Sequence, residues 1–354
     1  MTTVMRDDSR VTAFSGLGVA VVSAMAFGVS GVVARGLLDT GWSPAAIVVV
    51  RVGLGALLLG LPAARLLRGR WHLLAGHAPL ILAYAVLAVA VVQLGFFTAV
   101  RTIPVGVALL IEYTGPVLVV AWAWAVHGRR PGLLTWLGGA AALGGLMLVL
   151  DLGGVGPLDV SGALWALSAA VGLAAYFIMS ADSSPALPPV VLAAAGLAVG
   201  TVLLTLAGLV GFVPLEVGAS RAVYGSVAVP AWLALAALGL VCGALAYATG
   251  IAASRRLGSR VASFVAMSEV LFAMIFAWLL LDELPRPVQM VGGLVVLAGV
   301  VVLRIGQLRE VADRGSTVSA VPAPAPAPRD TAAGATPPPA PRAARRARRA
   351  ASRR

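Results

Sequence analysis

The sequence predicts an all-α polytopic membrane protein of ten transmembrane helices, arranged as two inverted five-helix repeats. Three observations predict it. Of 354 residues, 60% are hydrophobic and 11% charged, with a mean hydropathy of +0.97, a composition no ordinary soluble domain has. The apolar residues fall into ten runs bounded by charges or by Pro and Gly clusters. The sequence also matches itself at an offset of 154 positions: Arg101 falls on Arg255, Val107 and Ala108 on Val261 and Ala262, Trp124 on Trp278, Pro131 on Pro285, Gly138 and Gly139 on Gly292 and Gly293, and Gly145 on Gly299. Five spans per half is an odd number, so the second half enters the membrane upside down relative to the first. This is the plan of many secondary transporters, whose site lies near the midplane between the halves.

Taken in order, the spans are expected at about 12–34, 43–61, 79–99, 103–126, 133–150, 160–180, 187–212, 229–251, 261–281 and 287–304. The first run is longer than the roughly 7–15 residues of a signal-peptide core and is read as an uncleaved helix. The organisation that follows is a cytoplasmic N-terminus over 1–11, a first repeat over 12–151, a second over 160–304, and a disordered Pro/Ala/Arg-rich cytoplasmic tail over 305–354. All 26 basic residues are Arg, and ten of them follow Ile305 against three acids, so +7 of the net charge of +12 belongs to the tail. That charge is expected to lie on anionic lipid rather than on nucleic acid.

Loop charge sets the expected orientation. Arg65, Arg68, Arg70, Arg129, Arg130, Arg255, Arg256 and Arg260 fall on one side with the tail. The other side holds Arg35, Arg101, Arg221 and Arg286 beside Asp39, Asp151, Asp159, Glu216, Asp282 and Glu283. The positive-inside rule then makes both termini cytoplasmic. Trp42, Trp71, Trp122, Trp124 and Trp278 at span ends read as interfacial anchors. Gly138, Gly139, Gly145, Gly292, Gly293 and Gly299, and Gly28 with Gly31, read as close-packing positions.

Candidate chemistry centres on the fourth span, 102–128. Thr102 is placed to cap it, Pro104 lies in its first turn, and Gly128 is placed to close it. Glu112 sits near its middle, and Gly115 and Pro116 predict a helix break, because Pro116 cannot bond the carbonyl of Glu112. Such breaks occur in lipid only where protein or an aqueous cavity satisfies the freed groups. Arg51 in the second span and Glu269 in the ninth are the other deep charges, and intramembrane charges mark function by default. Tyr84, Gln93, Tyr113, Thr114, Trp165, Tyr176, Tyr247 and Ser268 are expected to line the same cavity, with Gln93 and Tyr247 matched by the 154 offset. Arg51 has two open readings, a contact for a substrate carboxylate or a packing partner of Glu112. Cys242, the single cysteine, reads as a buried thiol. No enzyme motif is evident: there is no HExxH, no cysteine pair, no acidic metal cluster and no GxxxxGK[ST] loop. No cofactor is expected.

The segments TIPVGVALLIEYTGPVLVV, VVVRVGLGALLL and RRLGSRVASFVAMSEVLFAMIFAWLLLDELPRPVQMVGGLVVLAGVVVL resemble the EamA-type branch of the drug/metabolite transporter superfamily. Through ALLIEYTGP the chain is similar, within that branch, to bacterial threonine/homoserine exporters. The resemblance covers about 12–304. It implies an exporter in the bacterial inner membrane, driven by proton antiport, with a central cavity formed by both halves. The family's second repeat usually reads Glu-Pro where this chain has Glu269-Val270, so the second half is expected to lack the helix break of the first. The expected partners are an amino acid or similar metabolite, a proton, the bilayer, and a homodimer as the assembly left open. Rival readings are an exporter of drugs, nucleosides or aromatic metabolites, and a scaffold or sensor acting through the basic tail.

Overall fold

A computed structural model describes residues 2–99, 102–103, 105–128, 131–150, 159–182, 186–225, 227–281 and 284–319. Ten helices or helix pairs among these residues are long and apolar enough to cross a membrane. They belong to one compact unit that extends to Glu310. α1 (Thr2–Leu38) is the first span. It ends where Gly41 takes a positive φ of 94°, after the Thr40 hydroxyl has turned back to the Leu37 carbonyl at 2.8 Å. α2 (Pro44–Leu66) starts at Ser43, whose hydroxyl accepts from the amide of Ala46, and runs past Pro62 beyond the expected end.

The third span joins α3 (His72–Gly76) and α4 (Ala78–Ala83) through a π-helical segment, Tyr84–Val91, to α5 (Val92–Ala99). α6 (Val105–Glu112) and α7 (Gly115–His127) make the fourth, with Gly128 closing it at φ 61° as expected. The Thr102 hydroxyl donates to the carbonyl of Ala99 at 3.4 Å. α8 (Leu133–Leu150), α9 (Val160–Asp182) and α10 (Pro189–Leu209) follow. An antiparallel hairpin, β1 (Arg221–Tyr224) and β2 (Val227–Pro230), stands between α10 and α11 (Ala231–Ala237). The second π-helical segment, Leu238–Leu245, leads into α12 (Ala246–Leu257). Then come α13 (Ser259–Ala266), α14 (Glu269–Leu281) and α15 (Pro287–Ser319).

The repeat is visible in the elements themselves. The two π segments, the starts and ends of α6 and α13, and those of α7 and α14 are each related by the offset of 154. Packing follows the same rule. α1 packs on α12 and α14 as α9 packs on α5 and α7, α2 packs on the second π segment as α10 packs on the first, and α2 packs on α10. Between α8 and α15, Gly138 lies against Gly299 and Gly145 against Gly292, backbone to backbone. Each partner is the repeat mate of the other glycine, so the contact is the same in both directions, as it is across a two-fold axis. Gly139 and Gly293 instead face the side chains of Phe264 and Leu271. Gly28 meets the backbone at Glu269, but Gly31 faces open space and is not a packing position.

Two expectations change. The tail beyond 304 begins helical, since α15 runs on to Ser319. No proline occurs between Pro287 and Pro322 to stop it. The rest of the tail, Arg101, Pro104, Arg129, Arg130, Asp151, Asp282 and Glu283 lie outside the described residues. The hairpin was not expected, because two four-residue strands leave little periodicity to read. Its turn rests on Gly225 at φ 57°.

A Cβ on Gly145 would stand 2.6 Å from the amide nitrogen of Val296, whereas one on Gly144 meets nothing within 4 Å. Gly145→Ala should therefore cost about 1–3 kcal/mol by forcing α8 and α15 apart. Gly144→Ala should be neutral or stabilising by up to about 1 kcal/mol. Thermal unfolding of the two purified variants in detergent checks the contrast.

Candidate functional site

The two broken spans meet at the centre of the bundle. In the first, α6 ends at Glu112 and α7 starts at Gly115, with Pro116 in its first turn. The amide of Thr114 bonds the carbonyl of Ile111 at 3.0 Å, and that of Val117 bonds Thr114 at 2.9 Å, both three-residue turns. In the second, α13 ends at Ala266 and α14 starts at Glu269. The amide of Ser268 bonds Val265 at 3.0 Å, and that of Val270 bonds Met267 at 3.3 Å. The second half thus breaks in register with the first although Val270 stands in place of proline, contrary to expectation. A hydroxyl sits at the same place in both turns: Thr114 Oγ1 donates to Ile111 O and Ser268 Oγ to Val265 O, each at 2.6 Å. That side-chain bond offers the backbone an alternative to the helical ladder, so proline is not required.

The breaks bring three charges together. The Tyr113 hydroxyl faces the carboxylate of Glu269, and Glu112 lies within electrostatic reach of Glu269 and Arg51. Both carboxylates are enclosed by the bundle and partly buried. Arg51 reaches them from α2. Its Nη1 donates to Ser30 Oγ at 2.7 Å, while its buried Nε has no partner. Among the described residues, no carboxylate is recorded in ion-pair contact with it.

The side chains of Gln93 and Tyr247 face each other. Because each is the repeat mate of the other, the pair lies on the pseudo-two-fold axis. Both stand two residues beyond a π segment, and a π turn shifts the phase of the helix that follows it. From Tyr247 a line of rings leads away from the carboxylates: Phe27 at 5.4 Å on one side, Tyr176 at 5.8 Å on the other, then Tyr84 at 6.0 Å from Tyr176, with Ser180 at its hydroxyl.

Glu112, Tyr113, Arg51, Gln93, Tyr247 and Glu269 are therefore one constellation, with Tyr176 and Tyr84 strung beside it. The hydroxyls of Thr114 and Ser268 are turned to their own backbone. Trp165 is not brought to the centre. It meets Phe212 edge-to-face at 6.2 Å near the loop that leads to the hairpin. Two participants were missed in the sequence, Ser30 and Phe27. Ser30 had a readable signal, a hydroxyl in an apolar span that must find a partner. Among the described residues, no three His, Cys, Asp or Glu side chains gather as a metal site would need. Cys242 is free and buried.

A solved crystal structure shares the fold with a TM-score of 0.65 at 19% identity, covering 81% of this chain and 96% of that one. The threonine/homoserine exporter RhtA of Escherichia coli strain K12 is 28% identical over 197 residues, 55% of this chain and 61% of the relative. That of Salmonella typhimurium strain SL1344 is 28% identical over 205 residues, 57% of this chain and 63% of the relative. The chain thus matches a little over three fifths of the length of these curated relatives. The uncharacterized transporter YwfM of Bacillus subtilis strain 168 is 31% identical over 111 residues, 31% of this chain and 38% of that protein. The profile of the EamA-like transporter family matches twice, over residues 14–151 and 160–305, one match for each five-helix half. The chain belongs to the EamA-like transporter family.

Proposed function

We propose that this transporter exports small zwitterionic metabolites, foremost amino acids such as threonine or homoserine, across the cytoplasmic membrane by proton-coupled alternating access. The observation that carries the reading is Arg51. A packing partner of Glu112 would be ion-paired, but Arg51 is anchored by Ser30 and keeps a buried, unpartnered Nε within electrostatic reach of two carboxylates. Opposite charges held apart at one depth fit a zwitterion, whose carboxylate would take Arg51 and whose ammonium would take Glu112 or Glu269. The relatives named as threonine/homoserine exporters support the same class.

The proposed cycle uses only these groups. A carboxyl of the Glu112–Glu269 pair takes a proton from outside. On the cytoplasmic side the substrate ammonium displaces that proton, which leaves inward, and access then alternates to carry the substrate out. Tyr113 is the positioning residue that holds Glu269 across the break. The arrangement of charge supports cytoplasmic termini: Arg65, Arg68, Arg70, Arg255, Arg256 and Arg260 lie at the end opposite the hairpin, while Arg35, Arg221 and Arg286 lie at the hairpin end with Asp39, Asp159 and Glu216. A second reading, export of drugs, nucleosides or aromatic metabolites, is favoured by the line of rings Phe27, Tyr247, Tyr176 and Tyr84.

Counterflow in proteoliposomes tests the substrate class: labelled threonine should accumulate against an unlabelled internal load. Phenylalanine or a nucleoside that competes better than threonine or homoserine would move the assignment to the second reading. Arg51→Gln should weaken substrate binding by about 1.5–3 kcal/mol, roughly tenfold to a hundredfold in half-saturation, the worth of a charged hydrogen bond. Wild-type affinity in that variant would sink the carboxylate contact. For coupling, protons enter as substrate leaves, so a gradient acidic on the outside should drive wild-type efflux. Glu112→Gln should retain counterflow but lose that response; a full response would remove Glu112 as the coupling group.

A further inference from the structure

The hairpin segment stitches the first half to the second at one end of the bundle. Ser43 N donates to Glu216 O at 3.0 Å and Ser43 Oγ to Pro214 O at 2.8 Å, while Glu216 N donates back to Ser43 Oγ at 2.9 Å. Trp42 Nε1 donates to Ala219 O at 3.0 Å, and Ala219 N to Thr40 O at 2.8 Å. Deeper in, the Tyr224 hydroxyl donates to Val33 O at 2.7 Å, its ring laid on Gly36, where any Cβ would collide with it. Burial pushes the Tyr224 phenol up to about 12, which keeps it a donor at any physiological pH. Ala231 N closes the segment onto Ser220 O at 2.8 Å. α1, α2, α10 and α11 are thereby joined at this end.

Beneath the segment runs an apolar crevice between α2, α5 and α10. Val49, Phe97 and Leu204 line it, Val213 lies at the root of the hairpin segment, and Gln93 lies among its lining on the axis. Its free space is about 10 Å³, room for one water, so it is closed to a solute in this conformation. α5 packs chiefly on α9 and only lightly on α2. The joined helices resist separation at this end, and the light α2–α5 contact is the seam that does not.

We propose that residues 210–230 are a permanent tether, and that access at the hairpin end opens along this crevice as α5 moves away from α2 and α10. The two halves then do not rock as rigid bodies: part of each moves together. The inference rests on the alternating-access reading above but not on its substrate.

Two variants in a Cys242→Ala background test it. In the first, Thr40→Cys with Ala219→Cys, the direct backbone bond places the pair within the roughly 4.4–6.8 Å that a disulfide spans. Oxidation should form the cross-link and leave counterflow unchanged. A pair that does not cross-link, or transport lost on oxidation and restored by reductant, would overturn the tether. In the second, Val49→Cys is exposed to a bulky, membrane-impermeant maleimide from the hairpin face. It should be labelled, and labelling should lower counterflow by about tenfold or more by blocking the seam. An unlabelled Val49→Cys, or a labelled one that transports normally, would overturn the route. Labelling and cross-linking are read without substrate, so a wild type silent toward threonine would defeat the threonine reading, while failure to cross-link or to label would still overturn this one.

Discussion

A backbone that crosses hydrocarbon must satisfy its own N–H and C=O groups, and every other feature of this bundle is arranged around the two places where it does so with difficulty. At Tyr113–Thr114 and at Met267–Ser268 the helical ladder gives way to three-residue turns, each supported by a hydroxyl bonded to a carbonyl three residues back. Those turns are tolerable only inside protein. The same enclosure shelters Glu112 and Glu269, which end and begin the helices on either side. The break and the charge are thus one device: interrupting the helix makes room for a polar centre, and the polar centre needs the interruption to be surrounded.

The surroundings come from symmetry. Gly138 on Gly299 and Gly145 on Gly292 bring α8 and α15 to backbone contact, and Gln93 on Tyr247 marks the axis. Within hydrocarbon no hydrophobic drive distinguishes one apolar surface from another, so small residues that allow close approach decide which helices meet. The symmetry is incomplete where function would need direction. Arg51 has no charged mate, Tyr176 and Tyr84 extend the site to one side, and the hairpin stitches only one end of the bundle.

Much of the centre was legible in the sequence, for an electrostatic reason. A charge in hydrocarbon is costly enough that Arg51, Glu112 and Glu269 stand out in an apolar chain without any structure. What could not be read was how each charge is satisfied. Whether Arg51 pairs with Glu112 or is held off by Ser30 depends on side-chain reach across helices distant in sequence. Pro116 led to the first break correctly, but the rule that proline makes the break failed for the second, where Val270 keeps its N–H and the Ser268 hydroxyl bonds the carbonyl of Val265 as Thr114 bonds that of Ile111. Trp165 was misplaced because an aromatic in an apolar span carries no mark of the depth or face it occupies.

The sequence by itself determined the membrane class, the ten spans and the internal repeat, because hydrocarbon thickness sets the length of each apolar run and duplication leaves a constant offset. It also determined which residues must be accounted for at the centre. Only the tertiary structure decided that the breaks coincide in register, that Gln93 and Tyr247 meet on the axis after matching π turns, and that a short hairpin joins the two halves at one end. Those are contacts between segments up to two hundred residues apart, selected by shape and by which backbone groups find partners, and neither leaves a period in the chain.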